Sequence, residues 1–307
     1  MSRAWDGLLA IDKAAGPTSH DVVARVRAAT GCARVGHAGT LDPPATGLLL
    51  LLLGCATRLA RFLPDDPKVY EGDLVLGRTT TTDDVSGDVI RLHHGAIPGP
   101  RAVAAAARGL CGVRLQVPPA YSARHVEGTR LYRLARRGVA VNAPATSVRI
   151  DALDLLPTDD SALWRYRTSV SAGTYVRAIV RDLGVALGCG AVVASLRRTA
   201  IGSISVEDAF PAPSNQDALR REAEARLVPI DAMRLSLPGL VLHDSGDVES
   251  FSAGTPFPCR EPSDGAAYVA VRDAHGVLLG VGSIDGAKIR PRVVLPRPAA
   301  LPGRRAV

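Results

Sequence analysis

The sequence predicts an α+β fold followed by a small β-rich module. Three observations carry this. Up to about residue 237, short strand-like apolar runs alternate with capped, amphipathic helical stretches. Beyond Leu237 the chain becomes short β-like runs separated by Gly, Pro and Asp turns. No repeat of roughly 20–50 residues runs through it, which excludes a solenoid or propeller. The expected boundaries are 1–232 for a catalytic unit and 233–307 for the β-rich module.

Taken in order, Gly7 to Asp12 reads as a short buried strand. Thr18 and Asp21 have the spacing of a capping box, and Val22, Val23 and Val26 share one face of the helix that follows. Leu48 to Leu53 is ambiguous by periodicity, but its length and the glycine at either end favour a buried strand. Ala56 to Leu63 reads as a short helix closed by Pro64. Val69 to Leu76 alternates, placing Tyr70, Leu74 and Leu76 on one face. Thr79 to Gly87 is polar and loop-like, and Arg101 to Leu110 is an Ala-rich helix. Thr129 to Arg137 reads as a basic helix with Gly138 as its C-terminal cap. Trp164 to Ser171 is a strand, and Thr174 is placed to cap a helix with Val176, Ile179, Val180, Leu183 and Leu187 on its apolar face. Val192–Leu196 and Gly202–Val206 are expected strands. In the β-rich module, Tyr268–Arg272 and Val277–Ser283 flank a turn at Asp273–Gly276.

Hydrophobic residues make up 47% of the 307 positions, enough to bury a sizeable core. Lys and Arg outnumber Asp and Glu by 37 to 30, and the net charge of +7 suits a polyanionic partner. The five cysteines, Cys32, Cys55, Cys111, Cys189 and Cys259, are scattered, with no zinc-type spacing. They read as reduced thiols of a cytoplasmic protein. No secretory h-region is legible near the start, and the longest apolar run is far short of the ~20 residues needed to span a bilayer.

The stretch GCARVGHAGTLDPPATG is the least ordinary part of the chain. Gly31 and Gly36 are separated by four residues, as in a phosphate-binding loop. The next residues, His37 and Ala38, supply neither the lysine nor the hydroxyl such a loop needs. Asp42 then stands alone between Leu41 and two prolines. An isolated LDP often caps a turn. No second carboxylate stands at metal-binding spacing, so a chemical Asp42 acts alone, as nucleophile or base. Such an acid calls for a guanidinium on a rigid element, and Arg177, in GTYVR at a helix start, is one candidate.

GHAGTLDPPATG resembles the catalytic segment of the TruB family of pseudouridine synthases. Further stretches match in the same order: LLAIDKAAGPTSHDVV, KVYEGDLVLG, PPAYSARHVEGTRLYRLARRG, SAGTYVRAIVRDLG and ASLRRTAIG. The resemblance covers most of Gly7 to Gly202. It implies the pseudouridine synthase fold, a mixed and mainly antiparallel sheet with flanking helices, followed by a PUA-like RNA-binding domain. It implies isomerisation of uridine to pseudouridine at position 55 in the T-loop of tRNA, by a stand-alone enzyme that needs no guide, cofactor or metal. The implied partner is the tRNA T-arm, the enzyme a monomer without a protein partner.

The roles follow position by position. Asp42 matches the catalytic aspartate, which attacks or deprotonates the target ribose. Tyr70 matches the tyrosine that stacks on the flipped base and takes part in the final proton transfer. Arg177 matches the arginine paired with the catalytic carboxylate. His37 matches a histidine near the displaced nucleotide, Leu196 an apolar wall of the uracil pocket with Tyr175 beside it, and Lys13 a lysine that supports the fold. Gly39 lets backbone lie close to the ribose. Arg124, Arg130 and Arg133 suit phosphate contacts.

A base in an RNA loop must leave its stack before its sugar can be reached, and splayed bases are read by stacking on aromatics. Two departures stand out. The family's lysine-proline is Lys13-Ala14 here. Thr81 stands where the family usually has aspartate, with Asp83 and Asp84 as nearby substitutes. A catalytically silent RNA-binding protein and a synthase guided by a separate RNA are the competing readings. The absence of long basic tails argues against the guided form.

Overall fold

The computed structural model of the chain describes residues 5–122, 124–126, 129–131, 143–259 and 266–297. Strand β1 (Gly7–Lys13) leads into α1 (Ser19–Thr30). The capping box forms as its residues dictate. The Thr18 hydroxyl accepts from the Asp21 N–H at 3.0 Å, and the Asp21 carboxylate accepts from the Thr18 N–H at 2.8 Å. Val22, Val23 and Val26 are buried, and Gly31 closes the helix in the left-handed region, at φ +68°.

Strands β2 (Val35–Ala38) and β3 (Thr46–Leu53) pair antiparallel, and the loop between them carries Asp42. The six leucines of β3 are all 1% exposed or less. Period-two alternation explains why all six are apolar. Leu49, Leu51 and Leu53 share a cluster with Val22 and Val26 of α1. Leu48, Leu50 and Leu52 share another with Leu59 and Phe62, from the 3₁₀ turn Gly54–Phe62, and with Ala270 and Leu278. A strand covered on both faces has no place for a polar side chain.

Next come β4 (Lys68–Leu76), the hairpin β5 (Arg78–Thr80) and β6 (Val89–Leu92), α2 (Pro100–Leu110), β7 (Gly112–Gln116), and the short hairpin β8 (His125–Val126) and β9 (Thr129–Arg130). Then follow β10 (Thr146–Pro157), β11 (Leu163–Val170), α3 (Val176–Ala186), β12 (Ala191–Val193), β13 (Arg197–Ile201), β14 (Ile204–Ser205), β15 (Phe210–Pro211), α4 (Gln216–Arg226) and β16 (Val228–Pro229). The main sheet runs β15-β1-β3-β13-β4-β11-β10-β7, with β2, β12, β14 and β16 attached beside this path. Its neighbours are antiparallel except β1 with β15 and β3 with β13. This is the mixed, mainly antiparallel sheet with flanking helices that the sequence led us to expect.

A second, five-stranded sheet is built from β17 (Gly239–Leu242), β18 (Phe257–Pro258), β19 (Tyr268–Asp273), β20 (Leu278–Asp285) and β21 (Lys288–Val294). It carries α5 (Ser245–Ser252), whose Phe251 is fully buried against Val271 and Leu279. Its Ala270, Leu278 and Val281, with Leu295 just after β21, join the cluster of Leu48, Leu50 and Leu52. The Asp231 carboxylate accepts from the Leu278 N–H at 2.8 Å and Arg272 donates to the Asp231 carbonyl at 2.7 Å, which ties the two sheets together.

Four local expectations are corrected. Thr174 does not cap α3: the N-cap is Tyr175, and the Thr174 hydroxyl instead meets that of Ser171 at 3.2 Å. Thr129 and Arg130 pair as strand with His125 and Val126 rather than opening a helix, and 132–138 lie outside the described residues. The strand expected at Val192–Leu196 is Ala191–Val193, because Ala194 and Ser195 both turn their N–H groups to the Asp73 carbonyl. The one expected at Gly202–Val206 shrinks to Ile204–Ser205, since Gly202 forms the turn of its hairpin with β13 and Val206 opens a 3₁₀ turn.

Candidate active site

The loop carrying Asp42 is held by side chains from three elements. At the end of β1, the Lys13 ammonium donates to the carbonyls of Ala14, Pro43 and Ala45 at 3.0, 3.1 and 2.7 Å. At the start of α1, the Ser19 hydroxyl donates to the Leu41 carbonyl at 3.0 Å and accepts from the Leu41 N–H at 2.9 Å. From β13, Arg198 donates to the carbonyls of Leu48, Gly39 and Thr40 at 2.8, 3.0 and 3.4 Å. The carbonyls of residues 39, 40, 41, 43 and 45 are thus all engaged from outside the loop, and that of Asp42 accepts from the Ala45 N–H. Burial pushes the Lys13 ammonium down to about 8, against the opposing pull of Asp42. Gly47 is required where β3 passes β13: at φ +96°, a Cβ there would sit 2.2 Å from the Arg198 carbonyl oxygen.

Asp42 Oδ2 meets Arg177 Nη2 at 2.7 Å. The Arg177 side chain is 6% exposed and that of Asp42 40%, so a buried guanidinium presents a reachable carboxylate. The fork of Arg177 is otherwise occupied: Nη1 donates to the Thr82 carbonyl at 2.7 Å and Nη2 to the Tyr121 carbonyl at 2.8 Å. Asp84 lies 3.8 Å from Nη1, so with Thr81 in place of an acid it is Asp84 that faces the arginine, while Asp83 pairs with Arg181 at 3.3 Å. Burial raises the Asp83 carboxyl above the usual carboxylate range.

The pair opens into a cleft of about 230 Å³ lined by Gly39, Asp42, Tyr70, Tyr175, Arg177 and Leu196, together with Lys68 and Arg198. Tyr70, on β4, is 7% exposed and lines the cleft. Behind it, the Tyr166 hydroxyl donates to the Ser195 carbonyl at 2.9 Å, and burial pushes that phenol well above its ordinary range. The Ser195 hydroxyl donates to Asp73 at 2.8 Å, which fixes the chain next to Leu196.

Six sequence-predicted residues, Gly39, Asp42, Tyr70, Tyr175, Arg177 and Leu196, therefore converge on one cleft. Lys13 lies beneath its loop. His37 sits on β2 opposite Leu51, outside the lining residues. Arg124 donates to the Thr146 hydroxyl at 2.9 Å, also away from the lining, and Arg133 lies outside the described residues. Sequence reasoning missed Lys68, Arg198 and Gln116. Gln116 is 1% exposed; its amide accepts from the Tyr175 N–H at 2.9 Å and donates to the Tyr175 carbonyl at 3.2 Å. The polar residue two places before PPAY was the available signal. Chemically, the cleft offers one oriented carboxylate, an aromatic face and an apolar wall, which suits a flat, neutral ring attached to a sugar.

Residues 27–176 match the family model described as TruB family pseudouridylate synthase (N terminal domain). Residues 177–233 match the tRNA pseudouridylate synthase B C-terminal domain. The chain belongs to the TruB family. A TruB pseudouridine synthase is an isomerase, and the relatives agree. The tRNA pseudouridine synthase B of Opitutus terrae is 40% identical over 242 residues, 76% of this chain and 97% of that one. The protein of the same name from Gloeobacter violaceus is 40% identical over 299 residues, 95% of this chain and 99% of that one. Among solved structures, that of an H/ACA RNP bound to a substrate RNA containing 2′-deoxyuridine holds a chain of the same fold. It has TM-score 0.70 and 22% identity, over 96% of this chain and 87% of that one. The TruB likeness thus extends through the second sheet. Among the described residues no helix is long and apolar enough to cross a membrane.

Proposed function

We propose that this TruB synthase converts the uridine at position 55 of the tRNA T-loop to pseudouridine, alone and without a guide RNA. The observation that carries the reading is the 2.7 Å contact between Asp42 and the buried Arg177 at the mouth of a cleft walled by Tyr70 and Leu196. The target nucleotide leaves its stack and enters the cleft. Tyr70 and Leu196 take the two sides of the uracil. Arg177 holds Asp42 Oδ2, which leaves Oδ1 to the ribose. Asp42 initiates cleavage of the C1′–N1 bond, the detached uracil turns, and a C1′–C5 bond forms. C5 then loses its proton and N1 gains one, so the product is an isomer of the substrate. Tyr70 is the proton-transfer group nearest the ring. The basic surface supplies phosphate contacts, so tRNA affinity falls steeply with salt. The five-stranded sheet, with Lys288, Arg290 and Arg292 on β21, is read as a second RNA-binding surface.

The test is pseudouridine formation on an unmodified tRNA transcript, comparing the wild type with Asp42→Asn. Product at the T-loop uridine is expected from the wild type alone, with tRNA bound equally by both. Product from Asp42→Asn would remove Asp42 from the chemistry. Wild type that binds tRNA without turnover would favour a guided enzyme or an RNA-binding role.

A further inference from the structure

The proposed chemistry leaves two buried cations of the cleft unused. Arg198 is 1% exposed and Lys68 8%, and both line the cleft. Arg198 spends its guanidinium on backbone carbonyls alone. Among the described residues no carboxylate lies within ion-pair distance of it. Lys68 meets Asp65 at 2.6 Å, but that carboxylate is 54% exposed and shared with solvent. Taking a guanidinium out of water without an opposing charge is costly, and carbonyl dipoles compensate for only part of it. Sites that break this rule are where function is expected.

The two cations converge on one spot. A Cβ on Gly39 would lie 3.4 Å from Arg198 Nη1 and 3.7 Å from Lys68 Nζ. Glycine leaves that gap open, at φ +81°, only three residues along the loop from Asp42. A neutral uracil would balance neither the unpaired guanidinium of Arg198 nor the Lys68 ammonium, whose one carboxylate is shared with solvent. A phosphodiester would, since it offers oxygens to a guanidinium and an ammonium at once.

We propose that Lys68, Arg198 and the Gly39 backbone form a seat for a phosphate of the substrate RNA, next to the nucleotide whose sugar meets Asp42. This rests on the RNA-modifying reading above and adds a binding subsite to it. The seat orders the reactants: a phosphate fixed at one end of the loop sets where the adjoining ribose lies at the other. Arg198 serves both the seat and the loop, so its replacement would confound the two roles. Lys68 makes no bond to the loop and is the residue to test.

The experiment compares wild type and Lys68→Gln for binding to a T-arm stem-loop RNA, with and without a neutral methylphosphonate at each linkage flanking the target uridine. At one linkage the methylphosphonate should weaken wild-type binding about tenfold, the scale of one charge-assisted contact, and weaken Lys68→Gln binding less than about twofold. The slope of log affinity against log salt should fall in magnitude by about 1 in Lys68→Gln and be restored in Lys68→Arg. Asp65→Asn frees the buried ammonium by changing only an exposed side chain, and should tighten binding. The seat is overturned if the methylphosphonate costs both proteins equally, if the salt slope of Lys68→Gln matches wild type, or if Asp65→Asn leaves affinity unchanged. Turnover of the unmodified RNA by wild type, measured alongside, tests the parent reading separately from these binding results.

Discussion

Replacing Gln116 with methionine keeps the length and bulk of the side chain and deletes both hydrogen bonds to Tyr175. Tyr175 is the N-cap of α3, and no side chain of that helix caps it. Its carbonyl retains the N–H groups of Ala178 and Ile179, both at 3.1 Å, but its N–H loses its acceptor. A buried donor left unsatisfied costs about 1–3 kcal/mol. At about 2 kcal/mol, thermal unfolding should move down by roughly 4–8 °C. Arg177 is two residues further on, so part of that energy should be spent displacing the Asp42 contact. Each ~1.4 kcal/mol lost there is about tenfold in rate. We expect kcat to fall about tenfold, with KM for tRNA changed less than about twofold. Gln116→Glu makes the assay sharper. Burial raises the carboxyl above its ordinary range, and the protonated acid can both donate and accept as the amide does. The stabilising form is fully present below the ordinary glutamate pKa and is lost as pH rises through the folded one. The kcat of the Glu variant relative to wild type should therefore decline with rising pH. A Met variant with wild-type kcat and only a lowered melting temperature would refute the reasoning, as would a pH-independent ratio for Glu.

Arg177→Lys retains the charge but cannot serve Asp42, Thr82 and Tyr121 together; kcat should drop about 100-fold while tRNA affinity changes less than about threefold. Comparable losses in both would contradict its positioning role. Lys13 titrates near 8 in the folded protein, below its ordinary value, so the unfolded chain binds the extra proton between about pH 8 and 10.5. Denaturant midpoints should show wild type gaining stability relative to Lys13→Met across that window, and a flat or falling difference would oppose it. Leu50→Ala deletes a fully buried side chain from the strand covered on both faces and should cost about 2–5 kcal/mol in urea unfolding; under 1 kcal/mol would mean the cluster collapses around the gap.

The readable parts of the molecule were those set by local pattern. The capping box, the leucine run and the alternation through Tyr70 each needed only neighbouring residues, and each formed. The residues themselves singled out Asp42 and offered Arg177 as its guanidinium, but spacing alone could not pair them; the resemblance supplied that pairing and the role of Tyr70. The misreadings share a cause. Thr174 is a good capping residue by type, yet α3 has no side-chain cap, and its N-cap residue Tyr175 is held by Gln116, 59 residues away in the chain. Arg130 has helical neighbours in sequence but a strand partner in His125. Arg198 and Lys68 look like surface charges in sequence, and only the crossing of β3, β4 and β13 buries them. Residues whose roles depend on distant chain carry no local signature.

The double-sided burial of β3 has a consequence for synthesis. A nascent chain that has left the ribosome only as far as residue 237 holds the whole Asp42 loop but lacks Ala270, Leu278, Val281 and Leu295, which complete the cover over Leu48, Leu50 and Leu52. The strand that carries the loop's Gly47 and the Arg198 anchor at Leu48 is then fully covered on one face, while on the other Leu59 and Phe62 leave part of it bare. Completion of the second sheet supplies the rest of that cover, so a prematurely terminated polypeptide would carry the whole Asp42–Arg177 cleft and still present an adhesive flank to its neighbours.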